Sequence, residues 1–151
     1  MKSNRGFTLI ELLVVISVIS IIIGVVLPRF KGVQTEANRA KAKAELKTLQ
    51  TAVESYYINV SPQEYPEATV TLCLTYLNSA NPLIVAAPMF DPFGSAGDEY
   101  AYDLAPSGAY YVIYSIGQNQ NADITGIGDD GYLTGEDADD IYVTNGLGWP
   151  A

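Results

Sequence analysis

The sequence contains no histidine and a single cysteine, Cys73, among its 151 residues. The absence of histidine removes the side chain that most often transfers protons or binds transition metals near neutral pH. One cysteine cannot form an intramolecular disulfide or a cysteine-rich zinc cluster, and it has no histidine to activate it as a nucleophile. We interpret Cys73, which lies in an apolar stretch, as a buried structural thiol.

Basic residues are missing from the last two thirds of the chain. All eight Lys and Arg residues lie within the first 47 positions, which have a net charge of +5, whereas residues 48–151 carry fourteen carboxylates and no basic side chain. Proteins bind nucleic acids largely by neutralising backbone phosphates with Lys and Arg. We therefore expect the acidic part of the chain to bind no nucleic acid.

Charges are also nearly absent from a long run near the N-terminus. Phe7 to Pro28 form an apolar segment of twenty-two residues in which Glu11 is the only charged side chain. As a helix the segment is about 33 Å long, enough to cross a hydrocarbon core of about 30 Å. It is too long for the apolar core of an ordinary secretory signal, and no small-x-small cleavage site follows it. A plain membrane anchor does not explain Glu11, because a carboxylate at bilayer depth costs about 2.5–3.5 kcal/mol and needs a compensating partner.

The start of this segment carries a specific motif. Residues 2–13, Lys-Ser-Asn-Arg-Gly-Phe-Thr-Leu-Ile-Glu-Leu-Leu, resemble the prepilin signature of type IV pilins and type II secretion pseudopilins. The resemblance implies that a membrane prepilin peptidase cleaves after Gly6 and methylates the new N-terminus at Phe7. It also implies that Glu11 pairs with the N-terminal amine of a neighbouring subunit. Such a pairing is physically reasonable, because a cation and an anion that are each costly in a low-dielectric medium compensate one another when they are close together.

The charges around the segment disagree with the orientation that the resemblance implies. More Lys and Arg residues follow the segment than precede it, so the positive-inside rule alone places the acidic part of the chain in the cytoplasm. The resemblance instead implies a single-pass protein of the bacterial inner membrane with its acidic part on the extracytoplasmic side. The filament would then lie in the periplasm or at the cell surface.

The residues after the segment predict that the helix continues as an amphipathic stalk. Apolar residues recur at spacings of three and four until Pro62, which cannot continue a helix. They are Phe30, Val33, Ala37, Ala40, Ala44, Leu46, Leu49, Val53 and Tyr56. We expect the alanine stripe to pack against the rest of the chain, with subunit contact as a use of the other face, and Gly24 and Pro28 are places where the helix can loosen or bend.

The acidic C-terminal part predicts a small sheet. Residues 99–104 and 109–116 are rich in aromatic and β-branched side chains and flank a turn, which indicates a β-hairpin, and residues 140–144 indicate a third strand. Residues 69–77 are apolar and fit a short helix or a strand, of which we favour the helix. The predicted fold class is α+β, with a long N-terminal transmembrane and stalk helix packed on a small antiparallel sheet. The predicted domains are a leader (1–6), a transmembrane helix (7–28), a stalk helix (29–60) and a head (61–151).

The order of motifs in the head also resembles the major pseudopilin of type II secretion. The motifs are Tyr65-Pro66 after the long helix, Asp91-Pro-Phe-Gly94 before a Tyr-x-Tyr strand, and Ser115-Ile-Gly117 at the end of the next strand. The resemblance implies that the chain is a structural subunit of the type II secretion pseudopilus. The alternative is a type IV pilus pilin, either the major subunit or a minor tip subunit that binds a surface or a secreted substrate.

The segment between Ser115 and Ile141 is unusually acidic. It contains seven carboxylates and five glycines, and calcium prefers six to eight oxygen ligands of this kind. An EF-hand is disfavoured, because its glycine position is Ile124 and its final glutamate position is Asp130. The pseudopilin resemblance implies a different calcium loop, with predicted ligands Asn119, Asp123, Asp137, Asp139 and Asp140. The alternative is a solvated acidic loop without a metal.

We expect no enzymatic activity. A hydrolase with paired carboxylates, such as Asp91 and Asp103, would lack a basic group to stabilise its transition state. The sequence contains no phosphate-binding GxxxxGK[ST] motif, so assembly would depend on a separate ATPase at an inner-membrane assembly platform. The implied partners are copies of this chain, related pilins and the prepilin peptidase.

Overall fold

The computed structural model describes residues 7–68, 71–78 and 84–150, without the side chains of Pro28, Cys73 and Leu74. Gly6 and the predicted burial of Cys73 therefore lie outside the described residues. The elements are helix α1 (Leu9–Asn59), a short π-helix (Cys73–Leu77) and strands β1 (Ala101–Leu104), β2 (Tyr111–Ser115), β3 (Ile124–Ile127), β4 (Leu133–Gly135) and β5 (Ile141–Thr144). The chain divides into two compact units, one that ends at Ala37 and one that begins at Asn38.

Helix α1 begins in the first unit and ends in the second. It is continuous from Leu9 to Asn59, as the spacing of apolar residues predicts, and neither Gly24 nor Pro28 ends it. It ends shortly before Pro62, whose ring removes a hydrogen-bond donor and clashes with the preceding turn. The predicted continuation of the helix beyond Pro28 and its end before Pro62 are therefore confirmed.

The apolar segment at the start of α1 is covered by no other part of the described chain. Every side chain described from Phe7 to Leu27 is exposed. By length and composition, α1 is the one helix among the described residues that can cross a membrane. An apolar surface of this extent is stable only when lipid or other protein chains cover it.

The part of α1 that belongs to the second unit packs along one face. Its most deeply buried side chains recur at spacings of three and four and are Ala42, Leu46, Leu49 and Val53, each at most 1% exposed. The prediction that Ala40 and Ala44 pack against the rest of the chain is wrong, because both are exposed. The stripe through Leu46 is rotated away from the alanines, and its larger side chains bury more apolar area.

Strands β1, β2 and β5 form an antiparallel sheet with β2 in the centre. Tyr102 of β1 lies opposite Ile113 of β2, which in turn lies opposite Val143 of β5. Gly108 in the β1–β2 turn has a φ of 72°, a conformation that glycine adopts without strain. The predicted hairpin and the predicted third strand are both confirmed.

Every residue of β2 is buried, because the two faces of the strand enter two different cores. Tyr111 and Ile113 pack in the core that contains Leu46 of α1. Val112 and Tyr114 pack in a second core with residues of β3 and β4. Since successive side chains of a strand alternate between faces, β2 joins the helix side of the sheet to the β3–β4 side.

The second sheet, β3–β4, was not predicted. The segment that was interpreted as a loop contains an antiparallel pair in which Ile127 lies opposite Leu133. The Gly128-Asp-Asp-Gly131 turn between two short apolar runs is a hairpin signal. The signal is weak here because glycines are frequent throughout the segment. In the segment predicted as a short helix, the described part forms the π-helix Cys73–Leu77.

Candidate functional site

The first turn of α1 is closed by a reciprocal pair of hydrogen bonds. The Glu11 N–H donates to Thr8 Oγ1 at 3.3 Å, and the Thr8 N–H donates to Glu11 Oε2 at 2.8 Å. The Thr8 hydroxyl also donates to Glu11 Oε2 at 2.7 Å. This arrangement is a capping box, which satisfies two N–H groups that a helix N-terminus otherwise leaves unpaired.

Glu11 therefore has a hydrogen-bonding partner within its own chain. This role of Thr8 was not predicted, although Thr-x-x-Glu before an apolar run is a recognised signature of a helix start. The Thr8 hydrogen bonds hold one carboxylate oxygen but add no positive charge. Phe7 is 84% exposed at the same end of the helix, and its pairing with Glu11 of another copy stays a prediction.

The second candidate site lies in the acidic segment of the head. Asp123, Asp139 and Asp140 each place one carboxylate oxygen within 4.8 Å of the others. Asn119 borders this cluster, because its side-chain amide donates to Asp123 Oδ2 at 2.7 Å. Asp137 is exposed and is not part of the cluster. The structure thus brings together three of the five predicted ligands, with a fourth beside them.

Backbone hydrogen bonds fix the positions of two of these carboxylates. Asp139 Oδ2 accepts the N–H groups of Gln118 and Asn119 at 2.6 and 3.0 Å. Asp140 Oδ2 accepts the N–H groups of Asp123 and Ile124 at 2.9 and 2.8 Å. The end of the acidic segment is thereby tied to its beginning.

Gly117 allows the close approach of Asp139. Its φ of 67° lies in the left-handed region, and a Cβ atom there would come within 2.6 Å of the Asp139 carbonyl oxygen and 2.8 Å of its Oδ2. A larger residue would both strain the backbone and displace the carboxylate. Glycine is therefore required at this point of the loop.

The second oxygen of each of these two carboxylates has no partner. Asp139 Oδ1 and Asp140 Oδ1 are buried and make no hydrogen bond, although buried charged oxygens are normally paired. Burial raises the pKa of Asp140; the Ile124 and Asp123 N–H groups oppose this shift, and the carboxylates of Asp123 and Asp139 add to it. Several carboxylate oxygens, two of them buried and unpaired, match the hard oxygen ligands of calcium.

Asp91 was considered as a catalytic carboxylate, and its surroundings give it a structural role instead. Its side chain is buried and accepts three hydrogen bonds: from the Phe93 N–H at 3.0 Å, the Ser115 hydroxyl at 2.7 Å and the Ile116 N–H at 3.0 Å. These bonds join the Asp91-Pro-Phe-Gly loop to the end of β2, just before the acidic segment.

Comparisons with known proteins cover both parts of the chain. Residues 1–27 match the family described as prokaryotic N-terminal methylation motif, and residues 29–144 match the family described as type II secretion system (T2SS), protein G. The type II secretion system core protein G of Klebsiella pneumoniae is 31% identical over 93% of this chain and 94% of its own length. The protein of the same name from Escherichia coli is 28% identical over 89% of this chain and 88% of its own length.

The similarity to pilins is confined to a shorter stretch. The type IV major pilin protein PilA of Myxococcus xanthus is 43% identical over 54 residues, which are 36% of this chain and 24% of that pilin. The comparison with solved structures finds no match. The predicted resemblance, the α+β fold class and the absence of enzymatic activity are confirmed. The chain therefore belongs to the type II secretion system protein G family and is a membrane-anchored, non-enzymatic pseudopilin.

Proposed function

We propose that this chain is the major subunit of a type II secretion pseudopilus and that the apolar half of α1 forms the core of the filament. The prepilin peptidase removes residues 1–6 and methylates Phe7, and the subunit waits in the inner membrane with its head on the extracytoplasmic side. The observation that carries the proposal is the exposure of every described side chain from Phe7 to Leu27. Lipid covers this surface before assembly, and the helices of other copies cover it afterwards.

Glu11 sets the register of assembly. In the isolated chain the Thr8 hydroxyl and N–H hold Glu11 Oε2, which satisfies hydrogen bonding but leaves the negative charge uncompensated. The free amine that cleavage creates at Phe7 of another copy supplies the missing positive charge. Because a buried ion pair is stable only when both partners are close, this pairing favours one axial offset between neighbouring helices.

Two variants separate the capping role from the pairing role. Glu11→Gln keeps a residue that can complete the capping box but removes the charge, whereas Thr8→Ala keeps the charge and removes the cap. We expect both variants to insert into the membrane and to be cleaved. We expect Glu11→Gln to reduce incorporation into filaments at least tenfold and Thr8→Ala to reduce it by about fivefold at most, because an N-cap contributes only about 1 kcal/mol.

Incorporation is measured by co-expressing tagged variant and untagged wild-type chains and quantifying both in isolated filaments. Equal incorporation of Glu11→Gln and the wild-type chain would reject the charge pairing. Loss of incorporation by Thr8→Ala to the same extent as Glu11→Gln would assign the whole effect to helix capping.

The remaining partners follow from the same proposal. Related pilins, the inner-membrane assembly platform and a separate ATPase are the expected partners, because the chain carries no nucleotide-binding motif of its own. The match to the type IV pilin covers only 54 residues, 36% of this chain, whereas the match to protein G covers residues 29–144. This difference favours a pseudopilus over a type IV pilus. Long extracellular fibres of this chain in sheared surface material from unmodified cells, identified by electron microscopy and mass analysis, would favour the pilus instead.

We further propose that Asp123, Asp139 and Asp140 hold a calcium ion, with Asn119 beside them. The donor set fits, because Asp139 Oδ1 and Asp140 Oδ1 are buried without a partner. A bound cation neutralises the mutual repulsion of the three carboxylates and joins the two ends of the acidic segment.

The calcium proposal is tested on the full chain in detergent micelles. Millimolar calcium chloride should raise its melting temperature relative to EDTA, as any ligand that binds only the folded state does. Asp139→Asn and Asp140→Asn should each remove most of this increase, and Asp137→Asn should retain it, since Asp137 is exposed and lies outside the cluster. An increase that survives in Asp139→Asn and Asp140→Asn would place the ion elsewhere. A melting temperature that does not respond to calcium would reject the site.

A further inference from the structure

Two basic side chains of α1 line the same groove as two of the three residues of the acidic cluster. The groove has a volume of about 410 Å³ and lies wholly within the second unit. Its basic residues, Arg39 and Lys43, are one helical turn apart on α1, and its acidic residues are Asp139 and Asp140. The segment leading into β5 forms the rest of the lining.

Neither basic side chain forms an ion pair with a residue that the structure describes. Among the described residues the single ion pair joins Lys41 Nζ to Glu45 Oε1 at 3.8 Å, and both of its residues lie on α1. Arg39 and Lys43 therefore line the groove together with Asp139 and Asp140 without forming an ion pair with either of them. Charges that form no ion pair still interact across a groove, and the interaction weakens as salt is added.

The sequence restricts where positive side chains near the acidic cluster can come from. Residues 48–151 contain no Lys or Arg and no histidine, so every positive side chain near the acidic segment has to come from the first 47 residues, and the described ones among these lie on α1. Arg39 is half-buried and Lys43 is exposed. The groove thus holds two cationic side chains of α1 together with the two carboxylates whose Oδ1 atoms have no partner.

We propose that Arg39 and Lys43 act as built-in counter-charges that stabilise the acidic cluster when it holds no metal and that lower its affinity for a divalent cation. This inference rests on the calcium site proposed above. The positive charges attract the empty carboxylates and repel an incoming cation. Calcium binding therefore competes with the attraction between the acidic segment and α1. Occupancy of the site by calcium weakens this attraction.

The test uses the full chain in detergent micelles and the double variant Arg39→Gln plus Lys43→Gln. Lys47→Gln is the matched control, because Lys47 is exposed on the same helix and lines a different groove with Ile84 and Val85. At low salt we expect the double variant to bind calcium about three- to tenfold more tightly than the wild-type chain, as measured by calorimetric titration. At 1 M sodium chloride the difference should fall below about twofold.

A second measurement does not depend on calcium. In EDTA the double variant should melt at a lower temperature than both the wild-type chain and Lys47→Gln. Added calcium should reduce this difference in melting temperature. A merely structural role of Arg39 and Lys43 would lower the melting temperature equally with and without calcium. Unchanged or weaker calcium binding by the double variant would overturn the inference.

Failure of the calcium site itself would have a different result. If no variant binds calcium, the proposed site is wrong, and the counter-charge role is decided by the EDTA measurement alone. A double variant that melts at the same temperature as Lys47→Gln in EDTA would show that the two cations do not stabilise the acidic cluster.

Discussion

The carboxylates of this protein differ in the hydrogen bonds that their oxygens accept. Asp91 accepts three hydrogen bonds from the chain around it, whereas Asp139 and Asp140 each keep one buried oxygen without a partner. Glu11 is held by Thr8 at the helix start. Residues of the same chemical type thus serve as an internal tether, as candidate metal ligands and as a candidate assembly contact.

Replacing Asp91 should destabilise the head. Asp91→Ala leaves the Phe93 N–H, the Ser115 hydroxyl and the Ile116 N–H without their acceptor, and we expect a loss of about 3–5 kcal/mol in the free energy of unfolding. Glu64→Ala, at an exposed carboxylate, should change it by less than about 0.5 kcal/mol. Urea denaturation of both variants in micelles measures the difference. A loss below about 1 kcal/mol for Asp91→Ala would show that the three bonds contribute little.

The stability of the head should fall at alkaline pH because of its buried tyrosines. Burial, and then the hydrogen bond to Glu54 and its negative charge, raises the pKa of Tyr111 above its ordinary value of 10.0. A group with a raised folded-state pKa binds its proton more tightly in the folded state, so its contribution is complete below pH 10 and is lost as the pH rises beyond that value. Burial is likewise the largest cause that raises the pKa of Tyr100 and of Tyr102.

Denaturation at a series of pH values checks this expectation. The free energy of unfolding should be nearly constant between about pH 7 and 9 and should fall above about pH 10. In Tyr111→Phe the fall should be shallower by up to about 1.4 kcal/mol per pH unit, which is the effect of one proton. An identical slope in the variant would mean that Tyr111 titrates normally in the folded chain.

At the scale of elements, helix α1 has different surroundings along its length. Near its start all described side chains are exposed, and in the second unit Leu46, Leu49 and Val53 are almost fully buried. The helix is one continuous element because its hydrogen bonds are internal. Its environment changes because the sheet covers only the part near the C-terminal end.

Side-chain truncations at different positions of α1 should differ in their effect on the free energy of unfolding. Leu46→Ala removes a fully buried side chain and should lower the free energy of unfolding by about 2–5 kcal/mol. Val33→Ala, at a residue that is 70% exposed, should change it by less than about 0.5 kcal/mol. Urea denaturation in micelles measures both. A large destabilisation by Val33→Ala would show that this stretch of the helix packs within the single chain.

At the scale of the whole molecule, opposite properties are separated along the chain. The N-terminal part is apolar and then basic, and the head carries acidic side chains and no Lys or Arg. Each subunit therefore has one region that avoids water and another whose net charge keeps it soluble. This separation suits a subunit that is first held in lipid and then packed by its helix.

The intact chain should behave as an integral membrane protein. The exposed segment from Phe7 to Leu27 buries enough apolar surface in a bilayer to resist extraction by alkaline carbonate, whereas detergent should release it. A variant with Val18→Lys and Ile22→Lys, both on that exposed segment, should move mainly to the soluble or degraded fraction. Release of the unmodified chain by carbonate would contradict a membrane-spanning α1.

The sequence by itself determined the long helix, the three-stranded sheet and the family, because these depend on local signals: the spacing of apolar residues, β-branched and aromatic runs, Pro62 and the motif around Gly6 and Glu11. It did not decide which stripe of α1 packs, since the stripes through Ala44 and Leu46 both have helical spacing and only contact with the sheet distinguishes them. The acidic site was likewise predicted in composition but not in geometry. Asp123 meets Asp139 and Asp140 only because the β3–β4 hairpin folds within the acidic segment and brings its two ends together, which no local pattern specifies.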